Sequence, residues 1–588
     1  MCGIAGYVGD APAALLPRML DRLRHRGPDA DGQHVEKGVG LGMTRLAIID
    51  LVTGQQPMAS ADGSLVITYN GEVFNYQELR RTLERLGHRF RTASDTEVVL
   101  EAYAAYGADC VAQLNGQFAF AIWDGRRGQL FLARDRLGIV PLHFAVQAGR
   151  FLFASEAKGI LAHPEIAVAA DEQSVVQSLL CSAVLGGRTM FRGLEALAPG
   201  HCLTVTAAGV QRRCYWSLSA IAAAPAPEEG PAVERFWELL EDSVRLRLMS
   251  EVPFGVLLSG GTDSSTIAKL AARHLNGTIR TFTIDYPNPW KGEDHDSTYA
   301  ALMARELGSE HHQWSVAPEA YFDTLEKLAW HIERPFNKGS ATMYLLYQRI
   351  REHATVVLCG EGADELMAGY VDSRGLGLDD VARDRTIRFF PWAPSWRVML
   401  RLLSPDLMDA ERGEAYYAAS LDATLAELPS PDPMNQALLL YLRYFLTELL
   451  EFHDKTGLAF GVEARPPFLD HRLVELLVPL PSTLKVENGH GKAFFKRMLR
   501  DFLPAAILQR RKTHMPIPRD PKSVYRQIAL TRELLLSSES RSARYFDRRR
   551  VDDFLERRGA FGDVSVLAVW QITMYLITLE LLHRAYRL

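Results

Sequence analysis

The sequence predicts an α+β domain of packed sheets over residues 2–215, then an α/β domain with a doubly wound parallel sheet over residues 232–588. Three observations carry this expectation. Short β-like runs separated by Gly, Asn and Asp fill the first 215 residues, with a few helical patterns between them. A segment rich in Ala, Pro and Glu, SAIAAAPAPEEGP at Ser219–Pro231, then reads as part of a linker over 216–231. Beyond it, strand and helix patterns alternate, and past about Asp380 the pattern is largely helical.

In the first half the strand candidates are Gly40–Ile49, Leu65–Tyr69, Phe118–Trp123, Gln129–Ala133 and Arg150–Ala154, with helices at Asn75–Leu86 and Thr96–Tyr106. In the second half, Ala232–Met249 has helical periodicity. It precedes an apolar strand at Val252–Leu258, a Gly-rich turn and a helix from about Ser264. Further strands are expected at Thr281–Asp285 and Thr355–Cys359. The apolar stretch Val564–Leu582 contains Ser565, Gln571, Thr573, Thr578 and Glu580, so it reads as a buried or amphipathic helix and not a membrane span. There is no internal repeat, heptad array or low-complexity segment.

Composition narrows the function classes. Of 588 residues, 47% are hydrophobic and 23% charged, which excludes collagen-like, disordered and small disulfide-scaffold proteins. A formal net charge of −5 gives no basic excess for nucleic acid. The six cysteines, Cys2, Cys110, Cys181, Cys202, Cys214 and Cys359, are scattered with no CxxC, against a disulfide framework or structural zinc. The start, MCGIAGYVGD, lacks a basic segment followed by an apolar run, so a cytoplasmic protein without secretory signal or membrane partner is expected.

Cys2 stands apart. Removal of Met1 would give it a free α-amine, with a pKa of about 8 beside a thiol of about 8.5. One residue would then supply nucleophile and base. Cys2-Gly3-Ile4-Ala5-Gly6, Arg26-Gly27-Pro28-Asp29, Arg45-Leu46-Ala47-Ile48-Ile49-Asp50, Tyr69-Asn70-Gly71-Glu72 and Ser94-Asp95-Thr96-Glu97 occur in the order of class II glutamine amidotransferases, which this half resembles. Leu132–Gly138 and Phe153–Lys158 extend the match. The resemblance implies an N-terminal nucleophile hydrolase-type sandwich. A glutaminase must hold an α-carboxylate, an α-ammonium and a developing oxyanion. Arg45 suits the first, Asp95 the second, and the Asn70 amide with the Gly71 N–H the third. The resemblance assigns the same roles and adds Leu46, Ala47, Ile48, Ile49 and Glu72 around the glutamine. Singly, Asp95 would read as a helix cap and Asn70-Gly71 as a hairpin turn.

The second constellation is Ser259-Gly260-Gly261-Thr262-Asp263-Ser264-Ser265, between an apolar strand and a helix. Paired glycines and a helix N-terminus suit a polyphosphate, and no Walker lysine follows. The motif resembles the pyrophosphate-loop ATPases, which release AMP and pyrophosphate. Cys359-Gly360-Glu361-Gly362-Ala363-Asp364-Glu365, Glu463–Asp470 and Lys496–Arg500 resemble segments of glutamine-hydrolysing asparagine synthetases. Asp263 and Asp364 are oxygen ligands suited to Mg²⁺. The resemblance places Leu257, Ile284, Cys359 and Gly360 around ATP, Glu361 as a catalytic carboxylate, Tyr370 near the acceptor, and Lys496 on the phosphates. Lys492 is close enough in sequence to compete for that last role.

The whole pattern implies glutamine, ATP and an acceptor carboxylate as substrates, aspartate foremost, with an internal ammonia channel and room for a homodimer. Intramolecular amide formers of the β-lactam synthetase type share both domains but usually lack the terminal cysteine. Departures cluster on the acceptor side. Cys359 replaces the usual serine, Thr342 in Glu333–Tyr344 stands where proline is common, and Lys512–Pro516 departs from the family's KxGFxxP. A different carboxylate is therefore the alternative, with Lys338 and Glu333 the candidate partners for the charges of a bound amino acid.

Overall fold

The computed structural model describes the chain except residues 148, 288–294, 338, 372–380, 382–395, 511–512, 514, 519 and 558. Two six-stranded antiparallel sheets form the first half. One has the order β10-β8-β9-β1-β3-β2, from β1 (Gly3–Val8), β2 (Ala30–Glu36), β3 (Val39–Arg45), β8 (His143–Gln147), β9 (Arg150–Ala154) and β10 (Glu195–Ala196). The other has the order β12-β11-β7-β6-β5-β4, from β4 (Met58–Ala59), β5 (Leu65–Val73), β6 (Gly116–Asp124), β7 (Gln129–Arg134), β11 (His201–Thr206) and β12 (Gly209–Cys214).

The two-residue period of a strand decides how these sheets stack. On β6, Ala119 and Ala121 face a core shared with Ile4, Leu41, Met43 and Phe153 of the first sheet. Phe118, Phe120 and Ile122 face the opposite way, onto Val98, Val99 and Ala102 of the helix Asp95–Tyr106. Ala5, Tyr7 and Leu152 pack outward against Leu16, Met19 and Leu20 of the helix Leu15–Asp21. The result is a helix–sheet–sheet–helix sandwich, as the sequence predicts. Burying each large apolar side chain stabilises the stack by roughly 1.5–3 kcal/mol.

The second half is built on a five-stranded sheet of order β15-β14-β13-β16-β17, every neighbour parallel. Its strands are β13 (Phe254–Leu257), β14 (Arg280–Asp285), β15 (Glu310–Ser315), β16 (Val356–Leu358) and β17 (Glu463–Arg465). The first strand in the chain lies at the centre, and later strands add outward on one side and then on the other. The order therefore reverses between β13 and β16, and the loops leaving those two strands diverge to open a crevice.

One strand bound needs correction, and two other segments take forms that the sequence left open. Of the linker 216–231, Leu218–Ala222 is helical, and a helix runs from Glu229 to Arg247. Pro231 sits in the first turn of that helix, where an absent N–H removes no helical bond. The Gly40–Ile49 strand ends at Arg45. Beyond the last ladder pair, Ala30 with Arg45, the Ala47 N–H is taken by the Asp29 carboxylate at 2.9 Å and the Asp50 N–H by Glu251 at 2.9 Å. Asn70-Gly71 is no hairpin turn but lies inside β5, paired with Ala119 and Phe118. The late apolar stretch is the helix Val566–Tyr586. Among the described residues, no helix is long and apolar enough to cross a membrane.

Candidate active sites

Strand β1 delivers Cys2 to the edge of the sandwich core, buried between the two halves of the chain. The Cys2 N–H donates to Asn70 Oδ1 at 2.7 Å, and its Sγ lies 3.9 Å from the Leu46 carbonyl. Burial pushes the thiol pKa up, while the neighbouring ammonium of Met1 and the charge of Arg45 work the other way. The Asn70 amide group donates to Ser155 Oγ at 3.4 Å. Gly71 adopts φ 150°, and a Cβ there would sit 2.2 Å from the Gln117 carbonyl oxygen, so only glycine fits.

Arg45 is buried, and its guanidinium donates to the carbonyls of Ile49 and Leu51 at 3.4 Å and of Asp50 at 2.6 Å. It holds the irregular 46–51 segment over Cys2. Asp95 is not the cap of its helix; Ser94 is, accepting from the Thr96 N–H. The Asp95 carboxylate instead accepts from the Tyr69 hydroxyl at 2.7 Å and the Val73 N–H at 3.1 Å, tying helix to β5. Burial raises its pKa. Glu72 is buried against Arg465 of the second half at 3.0 Å, and among the described residues its Oε1 has no hydrogen-bond partner. The Met1 ammonium lies 2.5 Å from Glu463, on the same strand as Arg465.

The second site occupies the crevice between β13 and β16. A cavity of about 350 Å³ is lined by Leu257, Ser259, Gly261, Asp263, Ser264, Ile284, Cys359, Gly360, Glu361, Asp364, Tyr370 and Lys496. Gly260 and Ser265 do not line it. Gly260 turns the loop at φ 69°, with Tyr299 and Ala300 of the neighbouring helix so close that a Cβ would lie 2.4 Å from their backbone. Ser265 is buried behind the loop. Helix Thr262–His274 starts at this turn, so its free N–H groups face the cavity.

Asp263 and Asp364 are brought together. Lys492 Nζ lies 2.5 Å from one and 2.6 Å from the other, while Asp263 Oδ1 is buried without a hydrogen-bond partner among the described residues. Two carboxylates converging on one cation, with an oxygen to spare, are a donor set that fits Mg²⁺. Lys492 holds φ 59°, outside the usual range for a side-chain-bearing residue, and caps the helix Ala493–Met498 that carries Lys496. Both lysines line the cavity. The motif spacing singled out Lys496; only the fold shows Lys492 between the aspartates.

The Tyr370 hydroxyl donates to Glu365 at 2.5 Å. Glu361 pairs with His453 of the helix Leu446–Leu458 at 2.8 Å. The far cavity wall is Phe445, Glu448, Leu449, Phe452, Met574 and Tyr575. Glu333 is not there. Its carboxylate is buried in the interface, accepting from the N–H groups of Ala157 and Lys158 and from Lys455 at 2.8 Å. Lys338, Lys512 and His514 lie outside the described residues. Thr342 has a local reason: its hydroxyl donates to the Pro516 carbonyl at 2.7 Å, a bond proline cannot make.

The glutamine amidotransferase domain family matches residues 1–216 and the asparagine synthase family residues 235–584. Asparagine synthetase (glutamine-hydrolysing) 3 of Bacillus subtilis strain 168 is 32% identical over 587 residues, covering 95% of this chain and 94% of its own. Asparagine synthetase (glutamine-hydrolysing) 1 of the same organism is 30% identical over 558 residues, covering 88% and 87%. A free cysteine on the sandwich, a phosphate-type loop at the sheet's switch point and these matches agree: the chain belongs to the asparagine synthase family, with an amino-terminal class II glutamine amidotransferase half.

Proposed function

We propose that the chain hydrolyses glutamine at Cys2 and uses the ammonia, with ATP and Mg²⁺, to amidate the side chain of aspartate. The supporting observation is the cavity between β13 and β16. It joins a pyrophosphate-type loop, paired carboxylates and the half-buried Glu361 carboxylate at one switch point.

With Met1 removed, the Cys2 α-amine takes the thiol proton. The thiolate attacks the glutamine amide carbon, and Asn70 and the Gly71 N–H hold the oxyanion. Ammonia leaves, and water releases glutamate from the thioester. Arg45 and Asp95 hold the ends of glutamine, within a pocket where Leu46, Ala47, Ile48, Ile49 and Glu72 complete the wall.

In the second site Leu257 and Ile284 flank the nucleotide, and Ser259, Gly261 and Ser264 receive its phosphates. Bound Mg²⁺ would neutralise phosphate charge, held by Asp263 and Asp364. The acceptor carboxylate attacks the α-phosphorus and pyrophosphate leaves; Lys492 and Lys496 stabilise the charge. Ammonia then attacks the acyl carbon, AMP departs, and Glu361 accepts the proton lost from nitrogen. A larger carboxylate is the second reading, favoured by the apolar wall of Phe445, Leu449, Phe452 and Met574.

The test is glutamine-dependent release of AMP and pyrophosphate with aspartate against a panel of larger carboxylic acids. Asparagine formed at substantial turnover is the expected result. ADP as the main nucleotide product would overturn the adenylate chemistry. No aspartate-stimulated pyrophosphate release, beside an active glutaminase, would move the assignment to another acceptor.

A further inference from the structure

We infer that His453 is a positioning residue for Glu361: its imidazole holds one carboxylate oxygen and so fixes the carboxylate where it lines the cavity. This rests on the reading of Glu361 as the proton acceptor in amidation. Three elements meet here. Glu361 lies in the turn after β16, His453 on the helix Leu446–Leu458, and Tyr347 on the helix Ser340–Ile350. His453 Nε2 is 2.8 Å from Glu361 Oε1, and its Nδ1 is 3.1 Å from the Tyr347 hydroxyl. Among the described residues, Glu361 Oε2 is buried and meets no N–H or O–H donor, and the Cys359 thiol also bonds this carboxylate.

The hydrogen-bond roles follow. Burial keeps the Tyr347 hydroxyl protonated, so it donates to Nδ1 of a neutral ring. If the ring is protonated, Nδ1 donates to the tyrosine oxygen instead. In either state Nε2–H donates to Glu361. Both ring nitrogens are thus engaged, and the imidazole has no nitrogen left for substrate. Its action runs through the carboxylate.

The neighbouring residues keep the ring in place. Asp454 grips Arg26 of the first half at 2.7 and 3.1 Å, and Lys455 holds Glu333 at 2.8 Å and Glu451 at 2.6 Å. The two residues that follow His453 thus tie its helix to other elements, and a carboxylate misplaced by an ångström loses much of its effect.

The Cys359 thiol lies beside the same pair, which gives the trio metal-ligand chemistry. The 2.8 Å spacing argues against that use. Two N/O ligands on one tetrahedral ion with bonds of about 2.0 Å stand about 3.3 Å apart. Nε2 and Oε1 are in hydrogen-bond contact.

The titratable groups around the pair are Cys359 at the end of β16, Tyr347, Tyr370 and Asp454. Burial alone would raise the Glu361 carboxyl; the imidazole, with the thiol, brings it down to about 2. Removing the imidazole therefore raises it, and the acid limb of amide formation moves to higher pH.

The experiment measures amide formation from ammonium salts, ATP and aspartate in the full-length enzyme, bypassing Cys2. His453→Leu should lower kcat by about 10- to 100-fold, the usual effect of removing a group that orients a reacting one. The KM for ATP and the glutaminase rate should stay, and the acid limb should shift upward. His453→Gln, which keeps an N–H donor, should recover most of the loss, and it serves where the leucine variant fails to fold. A normal wild type with an unshifted limb in both variants, or an equal loss of glutaminase, overturns the positioning role. A wild type that forms no amide from any carboxylate overturns the reading of Glu361 and this inference with it.

Discussion

Cys2 illustrates how few atoms the first reaction needs. Its backbone nitrogen already lies 2.7 Å from Asn70 Oδ1, so an α-amine freed at this position keeps a partner that aims it near its own thiol. Burial raises the thiol, and a nearby proton acceptor matters more for that reason. Cys2→Ala should abolish glutamine use and leave synthesis from ammonium salts, because nucleophile and nucleotide cavity lie in different halves. Loss of both activities in a folded variant would contradict separable sites. Intact-mass analysis should show active enzyme lacking Met1; full activity with Met1 present would remove the α-amine as base. The motifs made Cys2, Asn70, Asp95, Asp263 and Asp364 legible before any fold was known. What they could not give was partnership. Lys492, Ser155 and His453 lie 229, 85 and 92 residues from the groups they touch, and only the tertiary fold brings such residues together.

At the scale of the element, Gly260 shows how the nucleotide loop is shaped. The backbone turns at φ 69°, and the helix Asp296–Leu307 presses so close that no Cβ fits. Gly260→Ala should therefore displace the loop and weaken ATP binding by at least about tenfold, through left-handed strain of about 1–2 kcal/mol plus the clash. Calorimetric titration of ATP checks this, with Cys2-dependent glutaminase activity as the control. Unchanged affinity would mean that the loop absorbs the extra carbon elsewhere. Apolar strands were readable: Arg150–Ala154 appears with the bounds its sequence suggests. The edge strands of the parallel sheet were not. β15 mixes exposed and half-buried residues without strict alternation, and β17 is three residues long and fully buried, so neither shows a usable apolar period. The proline-rich segment is partly helical because Pro231 suits a first helical turn as well as a linker.

Over the whole molecule, the two halves meet through buried charges. Arg26 reaches Glu156 at 2.8 Å within its own half and Asp454 at 2.7 Å across the interface. Lys158 contacts Glu156 and, across the interface, Glu333, which Lys455 holds in turn. Glu333 is buried, which opposes ionisation, yet the two lysines bring its pKa down to about 2. A carboxylate depressed in the folded state stabilises it fully above the ordinary carboxylate pKa. That contribution is lost as pH falls from about 4.5 towards 2. Thermal unfolding followed across that window should show a steep loss that Glu333→Gln reduces. Arg26 gives the sharper test. Its guanidinium is fully buried and faces two carboxylates. Arg26→Met leaves Asp454 a buried carboxylate stripped of its bidentate partner, while Glu156 keeps Lys158 and His25. Breaking a buried pair from one side destabilises by about 3–5 kcal/mol. Asp454→Asn removes a charge but leaves Arg26 paired with Glu156, so it should be milder. The double variant removes both orphaned charges of the cross-interface pair and should lose less than the sum of the singles. Urea unfolding of all four proteins measures these differences. Additive losses, or an asparagine variant worse than the methionine one, would show that Arg26 and Asp454 do not act as a pair across the interface.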